Sequence, residues 1–208
     1  MKNIDSHGHV RGRSVYLDDI PMLQGTLHGL VFDSPKAHGH IESVDYTRAE
    51  ALPGVVRIFT WKDIPGENQI GGIVPDEPLF AEGEVHFQGQ PIALIVADSE
   101  HTAAKARKLI DLKIVEKPVV TDPREAQRQG QLIVPPRTFR LGDTAAQWAQ
   151  CAHIFEGRAD SNGQEHLYIE TQGAYALPVE NGNLKIYSST QGPTAVQRMI
   201  DDGVEICN

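Results

Sequence analysis

The segment Pro91-Ile92-Ala93-Leu94-Ile95-Val96-Ala97 constrains the fold more than any other, because it is an unbroken apolar run of strand length bounded by polar residues. A run that short and that uniformly apolar predicts a strand covered on both faces, with no side left for water. Asp98 and Ser99 then place side-chain oxygens where a helix N-cap needs them, and Glu100 to about Ile110 has helical periodicity. Ala103, Ala104, Ala106, Leu109 and Ile110 form one broad apolar face, with Lys105, Arg107 and Lys108 turned to solvent. Leu112 to Glu116 reads as a further strand. This strand, helix, strand unit supplies half of a predicted core.

The other half lies upstream. Gly25 to Phe32 predicts a strand ending at the turn-prone Asp33-Ser34-Pro35, and Ile41 to Val44 predicts a second. Asp45 is placed to cap a short helix from Tyr46 to Leu52, which Pro53-Gly54 terminates. Val55 to Thr60 is β-branched and strand-like. Between Trp61 and Pro78 the breakers Asp63, Pro65, Gly66, Asn68, Gly71, Gly72 and Pro75 exclude regular structure. The prediction there is a long ordered loop, of the kind that is functional or faces a partner.

Farther along, Asp122 to Gly130 predicts a short helix, and Ile133 to Arg140 is extended around Pro135 and Pro136, which marks a domain boundary. Asp143 is placed to cap a helix through Gln150, and His153 to Asp160 alternates as a strand would. Thr171 to Val179 and Leu184 to Thr190 flank Glu180-Asn181-Gly182-Asn183. Asn-Gly between two strand-like runs predicts a type I′ hairpin, whose central residues both need positive φ. Pro193 suits the first position of a last helix and Gly203 its C-cap.

Charge and cysteine content exclude several classes. With 28 acidic against 19 basic residues and a net charge of −9, the chain lacks the clustered cations that nucleic acid or an anionic membrane requires. Cys151 and Cys207 give neither a disulfide framework nor an iron–sulfur ligand set, which points to a reducing compartment. The polar N-terminus and the lack of any long apolar run make the cytoplasm the default. No phosphate-cradling glycine loop, dinucleotide fingerprint or hydrolase elbow occurs.

Among nine histidines, His7/His9 and His38/His40 have a spacing that shares one face of a strand. Neither pair has Cys or carboxylate partners at site-like spacing, so no metal ligand is assigned. His166 and Glu170 share a face on either kind of element, where packing and surface hydrogen bonding explain them. From these residues alone the chain is a soluble α+β protein of two unequal parts.

A collinear series of motifs carries the reading further. In order they are Gly12-Arg13-Ser14-Val15-Tyr16-Leu17-Asp18-Asp19-Ile20-Pro21, Ser34-Pro35-Lys36-Ala37-His38-Gly39-His40-Ile41, Leu52-Pro53-Gly54-Val55, Asp63-Ile64-Pro65-Gly66, Leu79-Phe80-Ala81 and Gly89-Gln90-Pro91-Ile92-Ala93. They end with Gly163-Gln164-Glu165-His166-Leu167-Tyr168-Ile169-Glu170-Thr171 and Ser188-Ser189-Thr190-Gln191-Gly192-Pro193. In this order the chain resembles the molybdenum hydroxylases, the xanthine dehydrogenase and aldehyde oxidase family. Glu67-Asn68-Gln69-Ile70-Gly71 leans toward the xanthine dehydrogenase branch.

The resemblance implies an α/β hammerhead domain over 1–133, with 1–13 mobile, a linker at 134–142, and the truncated start of a molybdopterin-binding α+β domain over 143–208. It implies hydroxylation of purines, hypoxanthine or xanthine, with oxygen from water, a glutamate as general base, and electrons leaving through molybdenum. By motif match Gln191 is the cofactor-binding residue, its amide hydrogen-bonding a molybdenum oxo group. The family's glycine-rich pterin-binding run, substrate-positioning Arg and catalytic Glu match nothing here, and Glu165, Glu170 and Glu180 do not take the last role. No catalytic residue is therefore assigned, and the chain is expected to be a fragment or a truncation, inactive alone. Iron–sulfur clusters and FAD are expected on partner subunits or domains. The alternatives are a non-catalytic assembly module and a fragment of an aldehyde oxidase. The incomplete second domain is expected to self-associate, stay mobile, or pack on the first.

Overall fold

A computed structural model describes residues 5–168 and 171–204, the last three by backbone alone. The expectations attached to Ile169, Glu170, Cys207 and the other final residues lie outside the described residues. The chain forms two compact units, Met1–Val119 with Glu170–Asn208, and Val120–Ile169. In the first, a one-turn helix α1 (Ser6–His9) precedes β1 (His28–Asp33), β2 (Gly39–Asp45), α2 (Thr47–Glu50), β3 (Val55–Thr60), β4 (Glu84–Val85), β5 (Pro91–Ala97), α3 (Glu100–Arg107) and β6 (Asp111–Glu116). The second unit holds α4 (Pro123–Arg128) and α5 (Thr144–Trp148), and the first resumes with β7 (Ala174–Pro178), β8 (Leu184–Ser188) and α6 (Pro193–Val204).

The apolar run is the central strand of a sheet ordered β1-β5-β3, antiparallel to both neighbours. Ile92, Ala93, Ile95 and Ala97 of β5 are buried, and with Phe32, Ala49, Ile58, Ala103 and Ala106 they build the core. Burial on both faces, predicted from the run, is met in part: Ala93, Ile95 and Ala97 are buried on one face, whereas on the other Ile92 is buried and Leu94 and Val96 are half-buried, and the strand is antiparallel rather than parallel. The strand after α3 does not return to that sheet. β6 instead joins β2 and β4 in a second sheet of order β4-β2-β6, so the strand, helix, strand unit ties two sheets together.

Helix α3 starts where Ser99 Oγ accepts from Thr102 N at 3.2 Å, as the cap residue predicts. Its buried stripe is narrower than expected: Ala103 and Ala106 are buried, whereas Ala104 is exposed. Asp45 Oδ1 accepts from Thr47 N at 2.9 Å, but α2 is a single turn ending at Glu50, shorter than the Tyr46 to Leu52 span predicted for it.

The loop rich in breakers is ordered by side chains that replace strand ladders. Asn68 Nδ2 donates to the Phe80 carbonyl at 2.8 Å, while its Oδ1 accepts from Phe80 N at 2.9 Å, so one amide closes twelve residues of chain onto itself. At the loop's start, Asp63 accepts from Thr60 N at 2.8 Å, from Thr60 Oγ1 at 3.0 Å and from an Arg57 Nη at 2.6 Å. The Thr60 N–H, then the Arg57 guanidinium, hold its carboxyl below the ordinary 3.8. A carboxyl lowered in the folded state stabilises the fold above its unfolded pKa, and that contribution disappears as pH falls through the folded value. Asp63→Asn is thus expected to lower the urea midpoint at neutral pH and to narrow its difference from wild type as pH falls below the ordinary carboxyl value of 3.8. A constant difference between pH 7 and pH 2 would contradict this assignment.

Corrections concern the last third of the chain. Residues 153–160, predicted as a strand, form none among the described residues; an unpaired strand is not stable in water. Gly203, predicted as a C-cap, lies inside α6. The hairpin follows its prediction closely: Asn181 has φ 61° and Gly182 φ 75°, and Asn183 N donates to the Glu180 carbonyl at 3.3 Å. Of the three fates expected for this region, the hairpin takes the third, since Leu23 N donates to the Tyr175 hydroxyl at 3.0 Å within the first unit.

The second unit has caps but no core. Asp122 Oδ1 accepts from Arg124 N at 2.7 Å and Asp143 Oδ1 from Ala146 N at 3.0 Å, while Arg124 and Arg158 share Asp160. Every residue from 127 to 168 is exposed, including Ile133 at 92% and Phe155 at 91%.

Candidate functional site

The motif that carries Gln191 is a turn between β8 and α6. It is built by local chemistry: Thr190 Oγ1 accepts from Gly192 N at 3.1 Å, and Val196 N donates to the Gly192 carbonyl at 3.0 Å as the first helical bond. Pro193 occupies the first helical position, where its missing N–H removes nothing from the ladder. Ser189 anchors the other side, its N–H donating to the Gly173 carbonyl at 3.1 Å and its Oγ to the Thr171 carbonyl at 3.2 Å.

Gln191 is exposed at this turn, with the unbonded backbone N–H groups of the first turn of α6 beside it. The helix is amphipathic: Val196, Met199 and Ile200 are half-buried while Gln197 and Arg198 face out. A groove of about 400 Å³ runs between strand and helix, lined by Ile186, Ser188, Thr190, Pro193, Val196 and Ile200. An exposed neutral amide and a helix N-terminus form a donor set, fit to hold oxygen atoms carrying partial or full negative charge.

The hairpin packs closely against the N-terminal part of the first unit. A Cβ on Gly173 would meet Leu17 Cδ2 at 2.6 Å, so the glycine permits the approach of the entry motif. Tyr175 and Tyr187 stack at 6.4 Å, and Lys185 Nζ lies 4.8 Å from the Tyr187 ring centre. A second groove, of about 560 Å³, is lined by Leu17, Ile20, Met22, Leu30, Ala104 and Tyr175 among others.

The partner motif behaves differently. Residues 163–168 are exposed and irregular, with Leu167 at φ 49°, and they belong to the second unit, whereas Ser188 to Pro193 belong to the first. His166 N donates to Glu165 Oε1 at 3.0 Å. The histidine pairs also part company. His7 and His9 sit on α1, where residues two apart do not share a face, and His9 Nδ1 lies 2.6 Å from Ser14 Oγ. His38 precedes β2 and meets Glu84 and His86 rather than His40. Sequence spacing gives no sign of that meeting, because cross-strand pairing over more than forty residues creates it.

Fold and comparisons define the class. The family model described as "Aldehyde oxidase and xanthine dehydrogenase, a/b hammerhead domain" matches residues 11–118, and the molybdopterin cofactor-binding domain model matches 125–207. The chain belongs to the aldehyde oxidase and xanthine dehydrogenase family, and its α+β fold is a hammerhead followed by a molybdopterin-binding region. It is 34% identical to the xanthine dehydrogenase of Dictyostelium discoideum over 200 residues, covering 96% of this chain and 15% of that protein. To the xanthine dehydrogenase/oxidase of Gallus gallus it is 38% identical over 182 residues, covering 86% of this chain and 13% of that protein. Among solved structures, the aldehyde oxidoreductase of Desulfovibrio gigas superimposes with a TM-score of 0.84 at 28% identity, over 97% of this chain and 24% of that one. Among the described residues, no helix is long and apolar enough to cross a membrane.

Proposed function

We propose that this chain serves as the hammerhead and the opening part of the molybdopterin-binding domain of a xanthine dehydrogenase-like enzyme, contributing to the hydroxylation of purines with water-derived oxygen. The observation that carries this reading is the succession of the two family matches, residues 11–118 and then 125–207. The functional division we adopt is hammerhead 1–133, linker 134–142 and molybdopterin-binding region 143–208. The exposed apolar side chains of the second unit form a surface of the kind that further protein covers.

When bound, a molybdenum-molybdopterin group supplies the oxidation of the substrate carbon. This chain's part is positional. The Gln191 amide would donate through its NH2 to an oxo group without adding charge, and the N–H groups opening α6 would favour a neighbouring anion. In this reading the general base and the remaining site residues, with iron–sulfur clusters and FAD, belong to other domains or partner subunits, in the cytoplasm. Likeness to an aldehyde oxidoreductase favours a second reading, in which the substrate is an aldehyde.

The purified 208-residue chain is expected to retain no molybdopterin and to leave hypoxanthine, xanthine and benzaldehyde unchanged in the presence of an artificial electron acceptor. Turnover of a purine by the chain alone would overturn the positional role. Turnover of the aldehyde by the chain alone would overturn it equally, since the two readings differ only in substrate.

A further inference from the structure

Three strands of the second sheet bring their ends together around Gly39. Gly39 pairs with Val85 of β4 on one side and with Glu116 of β6 on the other. Continuing each register by one residue sets His38 opposite His86 and opposite Lys117. Glu84 lies two residues before His86, on the same face of β4. The outcome is a cluster that no run of sequence contains: His38 and His86 rings lie 6.0 Å apart at 29°, and His38 Nε2 lies 3.0 Å from Glu84 Oε1.

Hydrogen-bond chemistry fixes the roles. His38 Nδ1 lies 2.9 Å from the Pro118 carbonyl, which can only accept, so Nδ1 carries a hydrogen. In the neutral ring Nε2 then turns a lone pair toward a carboxylate oxygen, which is also an acceptor. Two lone pairs at 3.0 Å need a cation with them, either a proton on Nε2 or a metal ion. A backbone carbonyl on the far ring nitrogen is the usual outer partner of a metal-bound histidine, since it sets the tautomer and the ring plane. Lys117 Nζ donates to Glu84 Oε2 at 2.8 Å, which leaves Oε1 as the free ligand atom and keeps the carboxylate charged.

We propose that His38, Glu84 and His86 form a binding site for a divalent transition-metal cation of the zinc class. Each side chain offers one ligand atom, and the three atoms lie within 4.8 Å of one another. Tetrahedral zinc with bonds of about 2.0–2.2 Å separates its ligand atoms by about 3.4 Å, so closure needs only a small rotation of the exposed His86. Two imidazoles and one carboxylate suit zinc, and the fourth position opens to solvent. Glu84 and His38 are half-buried, so the ion would tie the ends of β4 and β2 and, through Pro118 and Lys117, the chain leaving β6.

The test is calorimetric titration of the metal-free 208-residue chain with ZnCl2 at neutral pH. One saturable equivalent is expected, weakened about 10-fold or more by His86→Ala and by Glu84→Gln, and unchanged in a His7→Ala/His9→Ala variant. His86 is exposed, so its removal leaves the fold intact, and a thermal melt checks this. Side-chain 1H–15N spectra provide a readout that needs no variant, because zinc should shift His38 Nε2 and one nitrogen of His86. Absence of saturable binding, insensitivity to both site variants, or unmoved His38 and His86 resonances would overturn the proposal.

Discussion

Replacing Ile95 with alanine is expected to cost about 2–5 kcal/mol, a large share of the roughly 5–15 kcal/mol that holds a domain folded. Ile95 is fully buried at the centre of β5, paired with Leu30 on one side and Ile58 on the other. Truncation removes buried methyl groups and leaves a cavity between strands that neighbouring ladders hold at fixed spacing. A loss of about 10 °C or more in melting temperature should follow for a domain of this size. The comparison is Val56→Ala, in β3 but 58% exposed, which should stay within about 0.5 kcal/mol of wild type. Equal melting temperatures for the two variants would refute the placement of the core.

Gly39→Ala is expected to be nearly as damaging, for the opposite reason. A methyl group there would meet Ile114 Cγ2 at 2.5 Å, the Val115 carbonyl oxygen at 2.6 Å and Glu116 Cα at 3.2 Å. Two of these are backbone atoms of β6, so the strands themselves must separate, and overpacking of this kind costs about 1–3 kcal/mol or more. Gly29→Ala is the control, since its nearest neighbour at 3.3 Å is the flexible end of Leu94. Urea midpoints should rank wild type, then Gly29→Ala, then Gly39→Ala. The Gly39 variant should also weaken zinc binding, because its strands carry His38 and Glu84. A Gly39 variant as stable as the Gly29 variant would mean that β2 and β6 do not approach as described.

Both variants touch features with different visibility in the sequence. The bounds of β5 were legible end to end, because an apolar run of strand length needs no knowledge of its neighbours to be recognised, whereas the part-exposure of Leu94 and Val96 was not. The caps at Ser99, Asp122 and Asp143 and the positive φ at Asn181 and Gly182 were legible for a similar reason: each is satisfied by atoms within a few residues. The missing strand at 153–160 marks the limit of such reasoning. Alternation there is genuine, but a strand exists only when another edge accepts its hydrogen bonds.

The candidate sites divide along the same line. The Gln191 turn is local, and Thr190, Gly192 and Pro193 build it almost unaided. The histidine cluster is not local. His38 looked like the partner of His40 by spacing, and sheet register gave it Glu84 and His86 instead.

Sequence by itself determined the elements whose forces act over one turn or one strand: the buried run, the caps, the hairpin and the family-like order of motifs. Tertiary structure alone decided that β5 and β6 belong to different sheets, that Asn68 locks the long loop to Phe80, and that three strand ends gather two imidazoles and a carboxylate. The physical reason is range. Helix caps and turns are settled by covalent neighbours, whereas sheet order and register are settled by which distant edges find each other with their apolar faces inward.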